Sequence, residues 1–169
     1  AKVSGITEWI YYTDFVRYHE IMKKYRLLPW YKKPFSKELR ERIVFRIESI
    51  WKHRVDRKVK EALSATGLIP HTPHNMNEIM GNAHEHFVTS ELDSEISISS
   101  GAASTAMMHD YSGVINISPF ACLIGRVIEG LITPWSRERN YPVMSLEVDG
   151  AVLPPNKISK LEIFMLNVL

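Results

Sequence analysis

The sequence predicts an α/β fold built on a parallel sheet, and residues 113–169 carry most of that prediction. In this region strand-like apolar runs alternate with helical segments, in the order strand, helix, strand, helix. Continuous apolar strands between helices are typical of a parallel sheet that helices cover on both faces. The preceding half reads as mainly helical and basic. We therefore expect a sheet of about three to four strands behind a helical basic region.

Length and composition indicate one domain. The chain has 169 residues, 45% of them hydrophobic and 24% charged, which is ordinary for a globular protein. We predict a single α/β domain over 1–169. Within it, 1–66 is mainly helical and basic, 67–112 holds connecting helices, and 113–169 forms the strand–helix core.

Nothing in the sequence points to a membrane or to secretion. No run approaches the roughly 18 uninterrupted apolar residues that a membrane helix needs, and no basic-then-apolar signal pattern opens the chain. A single cysteine cannot form an internal disulfide. These features predict a cytoplasmic protein without a membrane partner. Because the chain begins at Ala1 in a strand-like run, we expect it to be the C-terminal part of a longer polypeptide.

Charge is distributed unevenly along the chain. Residues 17–60 contain 15 of the 21 Lys and Arg residues and 5 acidic residues, a local net charge of +10. The remaining residues have a net charge of −8, although the whole chain has only +2. Such asymmetry can steer anionic partners, including acidic proteins, nucleotide cofactors and nucleic acid.

The first half predicts two helices. Val3–Ile6 resembles the end of a strand, and Thr7 is a candidate N-cap for a helix over 8–22. A loop rich in proline and aromatic residues follows. Ser36 then begins a helix to about Leu63, with arginine and lysine on one face. Its other face is an apolar stripe of Leu39, Ile43, Ile47, Ile50, Trp51, Val55, Val59 and Leu63.

The second half predicts four helices and two strands. Asn77 is a candidate N-cap for the first helix, residues 97–101 precede the second, and Pro134 is expected to kink or end the third. The helices cover 78–88, 102–108, 123–137 and 156–169, and the strands cover 114–117 and 142–148.

Cys122 is the leading candidate for chemistry. An apolar strand ends at Ser118-Pro119, and Cys122 lies in the turn before a helix. The carboxyl ends of parallel strands commonly bind ligands, and a helix N-terminus favours a thiolate. Cys122 could therefore be a nucleophile, a redox group or a metal ligand, and a buried structural cysteine is the alternative. One cysteine cannot hold an iron–sulfur cluster, so a metal site needs ligands from outside this chain.

Two acidic residues are further candidates at this edge. Glu147 and Asp149 end the second strand, on the same side of the sheet as Cys122, although exposed turn acids are the alternative interpretation. The sequence contains no Gly-x-Gly-x-x-Gly motif, no Walker loop and no Gly-x-Ser-x-Gly elbow. A nucleotide site contained within this chain is therefore not expected.

Four histidines occur as two close pairs. His84 and His86 are two residues apart on a predicted helix, so they point to different faces and are poorly placed to share a metal. His71 and His74 flank Pro73 in a loop that could bring them together. Neither pair has an accompanying metal motif, and we interpret both as solvated surface residues.

Several segments resemble one protein family. Thr7-Glu-Trp-Ile-Tyr-Tyr-Thr13 and Val114-Ile-Asn-Ile-Ser-Pro-Phe-Ala-Cys122 are similar to the C-terminal domain of 2-hydroxyacyl-CoA dehydratase-like and activase-associated proteins, which include the double-cubane-cluster proteins. Glu147-Val-Asp-Gly150 and the helix Lys157–Met165 continue the similarity. It covers nearly the whole chain and is densest from 113 to 165.

The resemblance implies a Rossmann-like domain and a redox function. In that family the cysteine after the strand helps to ligate an iron–sulfur cluster of the 4Fe–4S type at a domain junction, and Cys122 matches that position. An ATP-dependent activase docks and delivers a low-potential electron for a dehydration or another difficult reduction. The implied partners are the preceding domains of the same polypeptide and the activase, and a homodimer is left open.

This chain departs from the family pattern in what it lacks. The cysteines of the preceding domain are missing, and so is the opening strand–helix unit of this domain. We therefore expect the isolated chain to bind no cluster and to have no enzymatic activity, even if the full-length protein belongs to a dehydratase or reductase.

A second hypothesis makes the chain a non-catalytic interaction module. In it the basic helix 36–63 docks an acidic partner, with Arg46, Arg54 and Arg57 as contact residues. Nucleic-acid binding is a third interpretation, and we do not expect it because the charges surround an ordinary amphipathic stripe.

Overall fold

The computed structural model describes residues 8–68, 75–87 and 95–169, and the chain forms two compact units. The first unit is Ala1–Met76 and the second unit is Asn77–Leu169. The predicted strand end at Val3–Ile6 and the candidate N-cap Thr7 lie outside the described residues.

The first unit is a pair of long helices. Helix α1 covers Glu8–Leu27, a short 3₁₀ helix covers Lys33–Phe35, and α2 covers Lys37–Ser64. The Ser36 hydroxyl accepts a hydrogen bond from the backbone N–H of Leu39 at 3.1 Å, which confirms Ser36 as the N-cap of α2. Helix α1 extends past its predicted end at residue 22, because no residue that breaks a helix occurs until Pro29.

The two helices pack through paired charges. Asp14 on α1 and Asp56 on α2 are both buried. The Lys52 ammonium lies 2.8 Å from Asp14 Oδ1, and the Lys60 ammonium lies 3.1 Å from Asp56 Oδ2. The Tyr11 hydroxyl donates to Asp56 Oδ2 at 2.5 Å. Buried carboxylates require such partners, so the inner face of α2 carries Lys52 and Lys60 beside the buried Phe45.

The apolar stripe of α2 lies on the opposite, exposed side. In α2 the buried residues are Phe45 and Asp56, eleven residues and about three turns apart on one face. Apart from Leu39, every predicted stripe residue is exposed: Ile43, Ile47, Ile50, Trp51, Val55, Val59 and Leu63. The amphipathic pattern is therefore present, but its apolar side is not the side that packs on α1.

In the second unit the described residues form four helices and two strands. Three predicted features are corrected by the structure. Asn77 lies inside the first helix instead of capping it, residues 97–101 lie within the next helix, and the helix that contains Pro134 continues to Glu138. The elements are α3 (Met76–His86), α4 (Glu95–Met108), β1 (Val114–Pro119), α5 (Leu123–Glu138), β2 (Val143–Val148) and α6 (Pro155–Val168).

Burial explains two of these differences. In α4 the Ser100 and Ser104 hydroxyls are fully buried and donate to the carbonyls of Ile96 and Gly101, so serine-rich sequence is accommodated inside the helix. On either side of Pro134, Ile132 and Trp135 are buried. Packing of these side chains holds the last turn of α5 in place despite the missing N–H.

The strands form a parallel pair. Val114 lies opposite Val143 and Pro119 lies opposite Val148. One face packs against α4 and α5, around a core of Ala103, Ile128 and Ile132. The described part of the chain is mostly helical with this two-stranded sheet, so the α/β class is confirmed in this coarse form.

Helix α6 packs at the start of β1. A Cβ atom added to Gly113 would lie 2.9 Å from the Phe164 ring and 2.8 Å from Val168 Cγ1, so this approach requires glycine. Across the described ranges, none of the helices combines the length and the apolar character needed to cross a bilayer.

Candidate functional site

Cys122 lies at the carboxyl edge of the strand pair, where the sequence predicted it. It is the N-cap residue of α5, in extended conformation with φ −70° and ψ 116°. Its backbone N–H donates to the Pro119 carbonyl at 3.2 Å, and its carbonyl accepts from the Arg126 N–H at 3.1 Å. The side chain makes no capping hydrogen bond and is partly exposed. The thiol is therefore held by its backbone and is not used by the helix cap.

The turn before Cys122 presses α5 against the strand end. Ala121 has φ 58°, a left-handed conformation that side chains other than Gly and Asn seldom adopt. A Cβ atom on Gly125 would lie 2.5 Å from Ser118 Cβ. Only glycine allows this approach, so Gly125 fixes the first turn of α5 on β1 and with it the position of Cys122.

Glu147 reaches the same turn from β2. Its Oε1 accepts from the Ala121 N–H at 3.3 Å, and its Oε2 lies 2.8 Å from Arg126 Nη2. Its carbonyl also accepts from the Lys157 ammonium at 2.5 Å, which joins α6 to the same edge. The predicted position of Glu147 beside Cys122 is thus confirmed. Asp149 instead accepts from the Ala151 N–H at 3.0 Å and stabilises its own turn.

Arg126 lies one helical turn after Cys122 and is paired with two carboxylates. It contacts Glu147 at 2.8 Å and Glu129 at 2.9 Å, so its positive charge is offset. The N-terminus of α5 contributes the partial positive charge of the helix dipole at Cys122. The helix terminus is therefore the feature that favours an anionic sulfur at this position.

The sheet face under α5 becomes polar towards this edge, a feature that our sequence analysis missed. Asn116 and Ser145 face each other in register, and Ser118 and Glu147 form the next pair on that face. Asn116 Nδ2 and Ser145 Oγ are buried and have no hydrogen-bond partner among the described residues. The two-residue period of the β1 and β2 sequences, VINISP and VMSLEV, could have predicted this polar face. It places these polar side chains on the same side of the sheet.

The donor set fits one ligand of a shared cluster. Thiolates are the ordinary protein ligands of 4Fe–4S clusters, and the described residues offer this single cysteine. Among the residues that the structure describes, no group of three His, Cys, Asp or Glu side chains is arranged to hold a metal ion. This part of the chain can therefore contribute one thiolate, and the other ligands must come from elsewhere.

The structure describes His84 and His86 but not the other predicted pair. His84 is exposed, and the His86 ring packs 6.2 Å from the ring of Trp135. Tyr141 packs on the same tryptophan at 6.1 Å, and burial raises the pKa of Tyr141 to about 12. His71 and His74 lie outside the described residues.

Comparisons with known proteins add no relative to this picture. A scan against protein-family models, a search of curated proteins and a search of solved structures found no match for the chain. The predicted resemblance to 2-hydroxyacyl-CoA dehydratase-like proteins receives no support from these comparisons and stays a prediction.

Proposed function

We propose that this chain is an iron–sulfur-cluster-binding domain of a protein similar to the 2-hydroxyacyl-CoA dehydratases and their activase-associated relatives, with Cys122 as one cluster ligand. The observation that carries the proposal is the position of Cys122. Its partly exposed thiol lies at the carboxyl edge of parallel strands and is not used to cap α5. A ligand shared between protein segments requires a sulfur that is fixed at such an open edge.

The neighbours of Cys122 support this role electrostatically. A thiolate-ligated cluster carries negative charge, and nearby positive charge and hydrogen bonds set its reduction potential. The α5 N-terminus supplies partial positive charge, whereas the charge of Arg126 is offset by its ion pairs with Glu147 at 2.8 Å and Glu129 at 2.9 Å. The site thus combines a candidate ligand with a helix terminus that can stabilise an added electron.

The remaining ligands, in this proposal, are cysteines of a preceding domain of the same polypeptide. An ATP-dependent activase delivers a low-potential electron to the cluster, which passes it to a reduction or a radical dehydration. A reducing compartment, and therefore the cytoplasm, suits this chemistry.

The same proposal extends the sheet to three or four strands in a Rossmann-like arrangement. Within the described residues β1 pairs with β2 alone. The N–H groups of Val114 and Phe120 donate to β2, so the backbone of the intervening Ile115 and Ile117 faces the other edge of β1. Both isoleucines are exposed. An additional strand on this side would pair these backbone groups, and an element packed on the sheet face would cover the two side chains.

Anaerobic cluster reconstitution of the full-length natural polypeptide tests the ligand. We expect Cys122→Ala to lose iron and the visible absorption of the cluster, and Cys122→Ser to retain less of both than the parent protein. Leu123→Ala is the matched control, because Leu123 is adjacent and 78% exposed but offers no ligand. Circular dichroism checks that each variant is folded. Unchanged iron content and spectrum in Cys122→Ala would refute the proposal.

A further inference from the structure

The outer face of α2 is an exposed apolar surface with arginines beside it. We define this face by the side chains that point away from α1 around Ile47. Its apolar members are Ile43, Val44, Ile47, Ile50, Trp51 and Val55, and its basic members are Arg40, Arg46, Arg54, Arg57 and Lys58.

The apolar part is large for a single helix face. From Ile43 to Val55 it runs for about 18 Å along α2. Ile47 is 65% exposed and Trp51 is 68% exposed, at the centre of the row. The solvent-exposed side of a surface helix is normally polar. An exposed apolar row of this kind therefore indicates an interaction surface.

Three arginines beside this row lack an acidic partner within the described part of the chain. The described residues include no ion-pair partner for Arg46, Arg54 or Arg57, although α2 carries several glutamates. Glu48 is already engaged by Arg17 at 2.6 Å. A partner that covers the apolar row would also desolvate these guanidinium groups. Their desolvation costs free energy unless the partner supplies negative charge.

We propose that the outer face of α2 docks an amphipathic helix of a partner protein, with glutamate or aspartate residues flanking its apolar stripe. A straight apolar row on one helix is complementary to the ridge of another helix. Arginine side chains bind carboxylates through two parallel hydrogen bonds, which fixes the register of the partner. This interaction is independent of a cluster at Cys122 and goes beyond it.

Two other occupants fit the surface less well. A second copy of this chain would bring the same unpaired arginines together, because a two-fold interface places identical patches face to face. An anionic lipid surface would also meet Glu61, which is exposed and points in the same direction as Ile43, eighteen residues and about five turns earlier. A partner helix can place its acidic residues beside the arginines and leave Glu61 in solvent.

Two synthetic peptides provide the probe. Both have leucine at the a and d positions of a heptad repeat; one has glutamate and the other has lysine at e and g. We expect the glutamate peptide to bind this chain at least about tenfold more tightly in calorimetric titrations. Equal affinities would overturn the proposal. So would binding to phosphatidylserine vesicles without binding to either peptide.

Charge reversal sharpens the test. The double substitution Arg54→Glu with Arg57→Glu should weaken the glutamate peptide about tenfold and strengthen the lysine peptide, so that the preference reverses. Lys23→Glu with Lys24→Glu is the matched control, because it changes net charge equally but lies on exposed positions of α1. An identical effect of the two pairs, or no effect of the α2 pair, would contradict a docking site on the outer face.

The apolar row has its own test. Ile47→Ser with Trp51→Ser should weaken both peptides, since it removes buried apolar area without changing charge. Both side chains are exposed in the free chain, so circular dichroism should show unchanged folding. Undiminished binding of the glutamate peptide by this variant would show that the apolar row is not the contact surface.

Discussion

The two units of this chain differ in how charged and apolar side chains share their buried faces. The second unit buries Ile128 and Ile132 between α5, α4 and the strands. The first unit instead buries Asp14 and Asp56 between its helices and exposes Ile47 and Trp51. The comparison shows that the amphipathic pattern of a helix identifies its apolar face. The pattern does not identify the element that packs against that face. In the first unit, charge pairs hold the helices together and leave the apolar face available.

The largest effect is expected from breaking the charge pairing of the first unit. Asp56→Ala should lower the free energy of unfolding by about 3–5 kcal/mol, because it leaves the Lys60 ammonium, which is largely buried, without its carboxylate. Glu48→Ala is the control: its ion pair with Arg17 is exposed and should contribute less than about 1 kcal/mol. Denaturant titration measures both. Similar losses in the two variants would mean that burial of the pair is irrelevant.

An isoleucine from each unit tests the comparison directly. Ile132→Ala should cost about 2–5 kcal/mol, because Ile132 is 1% exposed in the core of the second unit. Ile47→Ala makes the same chemical change on α2 and should alter stability by no more than about 0.5 kcal/mol. Chemical denaturation of both proteins gives the difference. A loss at Ile47 equal to that at Ile132 would show that the outer face of α2 is not free in solution.

The smallest expected effect concerns the turn that positions Cys122. Alanine substitutions at two glycines of α5 should change the free energy of unfolding in opposite directions. Gly125→Ala should destabilise by about 1–3 kcal/mol, since its methyl group would meet Ser118. Gly130→Ala should stabilise by about 0.5–1 kcal/mol, because nothing lies within 4 Å of the added methyl group. Thermal unfolding distinguishes them. A stabilising or neutral effect of Gly125→Ala would argue against the close contact between α5 and β1.

Local signals in the sequence were sufficient to predict the secondary structure around Cys122. The apolar run before Pro119 and the helical pattern after Cys122 predicted β1, α5 and the position of the cysteine in the turn between them. Ser36 likewise identified the start of α2. In each case one residue type has a single local conformational preference, so no knowledge of tertiary contacts was needed.

Other features of the fold and of the candidate site depend on tertiary contacts, which the sequence patterns did not predict. The serines of α4 are tolerated in a helix because they are buried and donate to its own carbonyls, which a local reading cannot show. The salt bridge between Arg126 and Glu147 joins residues twenty-one positions apart and depends on the parallel pairing of β1 with β2. The polar pair Asn116 and Ser145 was accessible to strand periodicity and was overlooked.

The bare row on α2 also has a practical consequence for handling the purified polypeptide. Repulsion between the exposed guanidinium groups of two such rows opposes contact between their apolar side chains. Added electrolyte shortens the reach of that repulsion to about 8 Å at physiological ionic strength, while attraction between aliphatic patches persists. We therefore expect aggregation to increase with salt concentration. Association driven by opposite charges would instead decrease with salt concentration.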